Sequence, residues 1–242
     1  MKIALIADIH GNIVALDAVL AAIEAERPDR VVCLGDVAAK GPAPAQVIDR
    51  LIGRDWIFIM GNTDEWMLSP MDEKPASERD RLLIASAHWG FDQLDERQRA
   101  FIATFRPNAA IELGAGQLLG YHGSPDSNVT SILPQTPESE LDRMLNPWPA
   151  RVYAGAHTHV RMLRPHHASL VVNPGSVGMA SASRPNGEDR LVAQAEFAFL
   201  EAGAAGIRVD FRTIELDRAA LVESVRTSAT PDAGWWREEW SR

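Results

Sequence analysis

The sequence predicts an α/β fold with a parallel central sheet, a mixed second sheet and a helical insertion. Three observations carry that expectation. Short apolar runs alternate with amphipathic helical stretches from residue 3 to residue 60, the mark of β-α units whose strands lie parallel. A stretch of helical periodicity with no strand inside it follows. Near the C-terminus two apolar runs flank Gly203 and Gly206, as an antiparallel hairpin requires.

Taken in order, Ile3 to Ala7 is a strand ending at Asp8. Apolar residues then recur at Ile13, Leu16, Leu20 and Ile23, three and four apart, so a helix follows with Asn12 as N-cap and Pro28 beyond its end. Arg30 to Leu34 is a strand before Gly35-Asp36, a helix runs from about Ala45 to Ile52, and Trp56 to Met60 is a strand before Gly61-Asn62. From about Ser77 to Phe105 two helices are expected, one carrying Leu82, Leu83, Ile84 and Trp89, the other Phe101, Ile102 and Phe105, with Pro107 as the stop. Gln117 to Tyr121, Arg151 to Ala154 and Ser169 to Val172 are short strands opening into His122-Gly123, Gly155-Ala156-His157 and Asn173-Pro174-Gly175-Ser176. Leu191 to Leu200 and Ile207 to Leu216 complete the hairpin. No repeat, low-complexity tract or linker divides the chain. One domain over residues 1–242 is therefore expected, with the insertion at about 77–106 and a tail at about 217–242.

Composition excludes several classes. With 46% hydrophobic and 24% charged residues, neither a disordered chain nor a disulfide scaffold fits. A net charge of −9 argues against an extended nucleic-acid-binding face, though not against a local anion site. The uncharged stretch between Arg164 and Arg184 contains two prolines and four serines, which no membrane-spanning helix carries. Asp8 interrupts what would have to be a leader's apolar region, so a cytoplasmic protein is expected. The single cysteine, Cys33, lies in an apolar run and reads as a buried, inert thiol. Trp235, Trp236 and Trp240 crowd the tail. Packing on their own domain is expected, with a homodimer contact as the alternative.

Chemistry concentrates where ligands bind open α/β sheets, beyond the carboxyl ends of strands. Asp8-Ile9-His10, Gly35-Asp36, Gly61-Asn62-Thr63-Asp64, His122-Gly123, His157-Thr158-His159 and Asn173-Pro174-Gly175-Ser176 each follow a strand. Any one of these could be a turn or cap. Their joint occurrence points to metal. Imidazole, carboxylate and amide donors without thiolate suit manganese, zinc or iron as divalent ions, and seven such donors exceed what one ion accepts. A metal pair with Asp36 bridging is the economical solution. His88, His166 and His167 are read as structural or solvated.

These motifs, in this order, resemble the calcineurin-like metallophosphoesterase superfamily, and the Asp-Ile-His-Gly-Asn start and Asn-Pro-Gly-Ser ending look like its small bacterial and archaeal phosphodiesterase branch. The resemblance spans residues 1 to about 215. It implies a two-sheet metallophosphoesterase sandwich flanked by helices. It also implies two divalent ions, manganese, zinc, iron or nickel, one held by Asp8, His10, Asp36 and His159 and the other by Asp36, Asn62, His122 and His157. The activity expected is phosphodiester hydrolysis of a small ester by a metal-bridging hydroxide. A phosphomonoesterase or protein phosphatase is the alternative, and a non-catalytic interaction scaffold comes behind it. Two departures stand out. Ala156 occupies the place of a glycine, and Thr63 replaces the histidine that follows Asn62 in many members. Asp64 is left to serve as proton donor if its pKa is raised, and Asn62, Gly175 and Ser176 are expected to contact phosphate.

Overall fold

The computed structural model describes residues 1–72, 74–114, 116–183, 189–231 and 233–241. Two five-stranded sheets dominate, with strand orders β12-β11-β1-β2-β3 and β4-β5-β6-β8-β7. In the first sheet, β1 (Lys2–Ile6), β2 (Arg30–Cys33) and β3 (Ile57–Phe58) run parallel. The hairpin of β11 (Gln194–Gly203) and β12 (Gly206–Glu215) joins β1 antiparallel, so it makes the first sheet mixed. In the second sheet β5 (Gln117–Tyr121), β6 (Val152–Ala154) and β8 (Ser169–Asn173) are parallel, while β4 (Asn108–Glu112) and β7 (Met162–His166) are antiparallel edges. A short pair, β9 (Ser181–Ser183) and β10 (Asp189–Leu191), stands apart.

The local chemistry is that of the sequence. Asn12 caps α1 (Ile13–Glu26), its side chain accepting from Ala15 N at 3.0 Å, and the buried stripe Leu16, Val19, Leu20 and Ile23 packs on the first sheet. Pro44 opens α2 (Pro44–Leu51), where its missing N–H leaves no helical bond unmade. The insertion consists of α4 (Glu78–Gln93) and α5 (Glu96–Ile102), the latter begun by a reciprocal Asp95–Gln98 capping box. A five-residue helix, α3 (Asn62–Trp66), and α6 (Glu138–Leu145) lie between the predicted elements. Between the sheets Ile3, Leu5, Val32 and Leu34 meet Leu118, Val152 and Val172. Cys33 is buried and unpaired, and burial pushes its thiol above the ordinary range.

The tail forms α7 (Arg218–Thr227) and α8 (Ala233–Ser241). Trp236 and Trp240 are each 1% exposed and belong to the core formed with α1 and α2, whereas Trp235 is 44% exposed. The Trp236 indole N–H donates to Lys40 O at 3.2 Å, so the tail clasps the loop between β2 and α2. Among the described residues no helix is long and apolar enough to cross a membrane. Trp236→Ala should cost about 3–5 kcal/mol of unfolding free energy, as large-to-small changes at buried aromatics do. Trp235→Ala, which loses one ring contact with Trp236 at 4.8 Å, should cost about 1 kcal/mol or less. Urea titrations of both variants check the contrast.

Candidate metal centre

The ends of β1, β2, β3, β5 and β6 converge because two glycines let them. A Cβ on Gly35 would lie 2.6 Å from Gly61 N and 2.9 Å from His122 Nδ1, and one on Gly61 would lie 2.2 Å from Asp36 Oδ1. Any side chain at either place would push Asp36, Asn62 and His122 apart. The polar residues carried there adopt an unusual backbone. Asp8, His10, Asp36, His157 and His159 all have positive φ, between 47° and 68°. L-residues avoid that region, and each such residue costs about 1 kcal/mol or more.

Their side chains form two groups, Asp8–His10–His159 and Asp36–His122–His157, with the ligand atoms of each within 4.8 Å of one another. Asp36 connects them. Its Oδ2 lies 3.6 Å from His10 Nε2 and its Oδ1 lies 3.4 Å from His122 Nε2. His159 Nε2 is 3.5 Å from Asp8 Oδ1 and 3.0 Å from His10 Nε2. Ligand atoms bound at about 2.0–2.2 Å to a four-coordinate ion stand roughly this far apart.

The hydrogen bonds behind the site fix which atoms face inward. His10 Nδ1 reaches Ala39 O at 3.3 Å and His122 Nδ1 reaches Leu34 O at 2.7 Å, which turns both Nε2 atoms toward the carboxylates. Both oxygens of Asp8 and Asn62 Oδ1 are buried without a hydrogen-bond partner. Such a gathering of acceptors is costly unless cations join it. The donor set therefore fits divalent ions.

The electrostatics say the same. Burial opposes the charge of Asp36, yet His122 and His10 hold its carboxyl well below the usual range. Burial alone would lower His122, but Asp36 outweighs it and the imidazole is held up at about 9. His10 is driven well down, first by burial and then by the charge of Lys40. Burial, followed by the charge of His122, lowers His157.

Asp64 combines a favourable pKa with an unfavourable position. Burial, then the Asp36 charge, raises it to about 7. The residue is nevertheless fully buried, and its oxygens accept from Asp36 N at 2.8 Å, Val37 N at 2.8 Å and Gly61 N at 2.9 Å. Geometry ranks before pKa for a proton donor. Gly175 and Ser176 are likewise committed. Gly175 N donates to Asn173 Oδ1 at 2.9 Å, and the Ser176 hydroxyl donates to Asp8 O at 2.8 Å while accepting from Met179 N. The Gly175 N–H and the Ser176 hydroxyl thus form part of a brace under Asp8. Ala156 is accommodated, its methyl in the inter-sheet core and its N–H on His122 O at 2.7 Å. His88 lies apart, bonded to Met71 O at 2.8 Å.

Lys40, which the motifs gave no reason to single out, bears on the centre. Its charge lowers both His10 and Asp36, and its ammonium sits 5.9 Å from the Trp66 ring centroid. The signal in the sequence is a lysine four residues beyond Asp36, before Gly41-Pro42.

The family model for the calcineurin-like phosphoesterase superfamily domain matches residues 1–194. The chain belongs to that superfamily. It falls with the small YfcE-like branch, being 27% identical over 198 residues to the phosphodiesterase YfcE of Escherichia coli, a match covering 76% of this chain and 84% of the relative. Two solved structures share the fold at 21% identity. The metallophosphoesterase of Sphaerobacter thermophilus superposes with a TM-score of 0.75 over 100% of this chain and 98% of the other. The hypothetical protein PH1004 of Pyrococcus horikoshii gives 0.78 over 98% and 96%.

Because His122 carries a proton up to about 9, an ion that takes its Nε2 must displace it. Affinity for divalent ions should therefore rise about tenfold per pH unit as pH climbs toward that value. Calorimetry in buffers of differing ionisation enthalpy reads the released proton directly. A pH-independent affinity over that range would show that no proton leaves His122 on binding.

Proposed function

We propose that the protein is a dinuclear metal-dependent phosphodiesterase acting on a small phosphate ester. Asp8, His10, Asp36 and His159 hold one ion; Asp36, Asn62, His122 and His157 hold the other. The observation that carries this reading is Asp36, each of whose oxygens faces the Nε2 of a different histidine set, at 3.6 and 3.4 Å. Divalent ions of the manganese, zinc, iron or nickel type, when bound, supply water of lowered pKa and screen the charge on phosphoryl oxygens.

The chain's own residues divide the remaining work. Asp8 and Asp36 contribute two negative charges against the four positive of two ions, which leaves a cationic site in an acidic protein. Asp64 positions rather than donates. By holding the N–H groups of Asp36, Val37 and Gly61 it fixes the bridging carboxylate and the turn that presents Asn62. The Thr63 N–H donates to Asp36 Oδ1 at 2.9 Å, and its hydroxyl is buried without a partner, so no imidazole stands beside Asn62. Arg161 would favour a phosphate monoester if free, but it pairs with Glu196 at 3.2 Å and donates to Arg212 O. Lys40 remains as the cation whose field reaches the centre, in keeping with a monoanionic diester.

Protein purified without chelator and reconstituted should hold two ions per chain by elemental analysis. Asp36→Asn should abolish hydrolysis with loss of both ions, while His88→Ala leaves it near wild type. Equal losses from the two folded variants would sink the assignment. General acid catalysis is worth about 10²–10⁴-fold, and the leaving oxygen has no imidazole to supply it. Aryl diesters should therefore be strongly preferred over alkyl diesters, and Thr63→His should narrow that gap. The kcat/KM values of matched esters, measured in wild type, Thr63→His and Asp64→Asn, decide the matter. A shallow wild-type dependence on leaving-group pKa that turns steep in Asp64→Asn would return the proton to Asp64.

A further inference from the structure

A second gathering of imidazoles and carboxylates lies away from the Asp/His centre, where α6 meets the β7–β8 hairpin. His166 ends β7 and His167 begins the turn that follows, with φ of 50°. His166 is 3% exposed. Its Nδ1 is 2.5 Å from Glu138 Oε1, and the other oxygen of Glu138 takes the Arg164 guanidinium at 2.7 Å. Arg164 is itself fastened to Pro134 O and Thr136 O. The carboxylate is thus held in place, and it accepts the proton of His166 Nδ1.

That bond leaves Nε2 as the lone-pair atom of His166. Nε2 is buried and has no hydrogen-bond partner. The nearby acid is Asp142, whose Oδ1 stands 3.7 Å from His166 Nε2 and 2.7 Å from His167 Nε2. A buried lone pair turned toward a carboxylate oxygen is an unfavourable pairing of two acceptors, and a cation between them reverses its sign. A carboxylate accepting Nδ1–H while Nε2 points at an open position is also how metal-binding histidines are oriented in general.

We propose that His166 Nε2, His167 Nε2 and Asp142 form a peripheral site for a borderline divalent ion of the zinc class, with Glu138 as the positioning residue. Two imidazoles and one carboxylate are three ligands of the kind such an ion takes, leaving a fourth position to water. The 2.7 Å separation of Asp142 and His167 is shorter than neighbouring ligands of one ion require, so His167 must turn outward on binding. Its side chain is 62% exposed and free to do so. Once bound, the ion ties α6 to the edge of the second sheet, and the site is a staple separate from the hydrolytic centre.

The test uses the whole 242-residue chain already loaded at its Asp/His centre, with Zn²⁺ as probe. His166 is buried and its replacement could impair folding, so the variant is the surface pair Asp142→Ala/His167→Ala. Equilibrium dialysis should find one zinc fewer per chain in this variant than in wild type, and anomalous scattering should place that zinc against His166 Nε2. Zinc should also raise the Tm of wild type more than that of the variant. Glu138→Gln should weaken the extra site about 10–100-fold, as loss of an orienting carboxylate does. Equal zinc counts in wild type and the double variant would overturn the proposal. So would a zinc visible only in soaked crystals and absent in dialysis, which would mark an adventitious ion on an ordinary hydrogen-bonded cluster.

Discussion

Three backbone N–H groups converging on one buried carboxylate hold the centre together. Asp64 receives them from Asp36, Val37 and Gly61, which lie in the turns that follow β2 and β3. A backbone amide inside a protein must find an acceptor, and here a single side chain satisfies three at the place where two strands end. The same contacts determine where the Asp36 carboxylate points, and Thr63 N then fixes its Oδ1. Replacing Asp64 by a neutral isostere would put an NH₂ group where one oxygen now accepts, setting donor against donor. The orientation of the Asp36 carboxylate therefore depends on a residue that stands beneath it.

Convergence has a conformational cost, and its distribution is informative. Among the described residues eight non-glycine positions have positive φ, and five of these are Asp8, His10, Asp36, His157 and His159. Strain concentrated in this way persists only when the surroundings over-determine it. Here the surroundings are Ser176 beneath Asp8, Asp64 beneath Asp36, and the close approach of Gly35 to Gly61 and His122. On the proposed reading, ions would meet a site already shaped, so their binding free energy would not be consumed in ordering loops. The tail contributes from the far side, since Trp236 holds Lys40 O and so steadies the chain just beyond Asp36.

Most of this was legible as alternation. Apolar runs ending in Asp, Asn or His gave β1, β2, β3, β5, β6 and β8, and the helix α1 announced itself by its cap and stripe. Elements lacking contrast were missed. Strand β7 contains Pro165 and His166 and survives because it is an edge, where a missing N–H costs little. Helix α6 has only Leu141 and Leu145 buried in eight residues, too short a stripe to declare a period. The hairpin was read correctly, but its attachment to β1 rather than to the second sheet depends on burial that no local pattern encodes. Polar residues at strand ends posed a different problem. Sequence marks Asp36, Asp64 and Ser176 alike as unusual there, yet whether such a residue faces the cavity or supports its floor is decided by packing. Asp64 is hydrogen-bonded beneath Asp36, and the Ser176 hydroxyl beneath Asp8.

The same distinction bears on selectivity. A histidine at position 63 would bring an imidazole beside Asn62, whereas Thr63 contributes a backbone N–H to the Asp36 carboxylate and a hydroxyl with no partner. Nearby positive charge comes from Lys40, four residues beyond Asp36 and set over the Trp66 ring. A fixed cation helps an oxygen leave by stabilising its negative charge, which is most useful when the departing anion is already tolerable. A proton carrier helps most when it is not. On the proposed reading, Lys40 present and the imidazole absent push in one direction, toward esters whose leaving groups need charge stabilisation rather than protonation. Membership of the phosphoesterase superfamily gives the general chemistry, and on the proposed reading the residues just outside the ligand set narrow it.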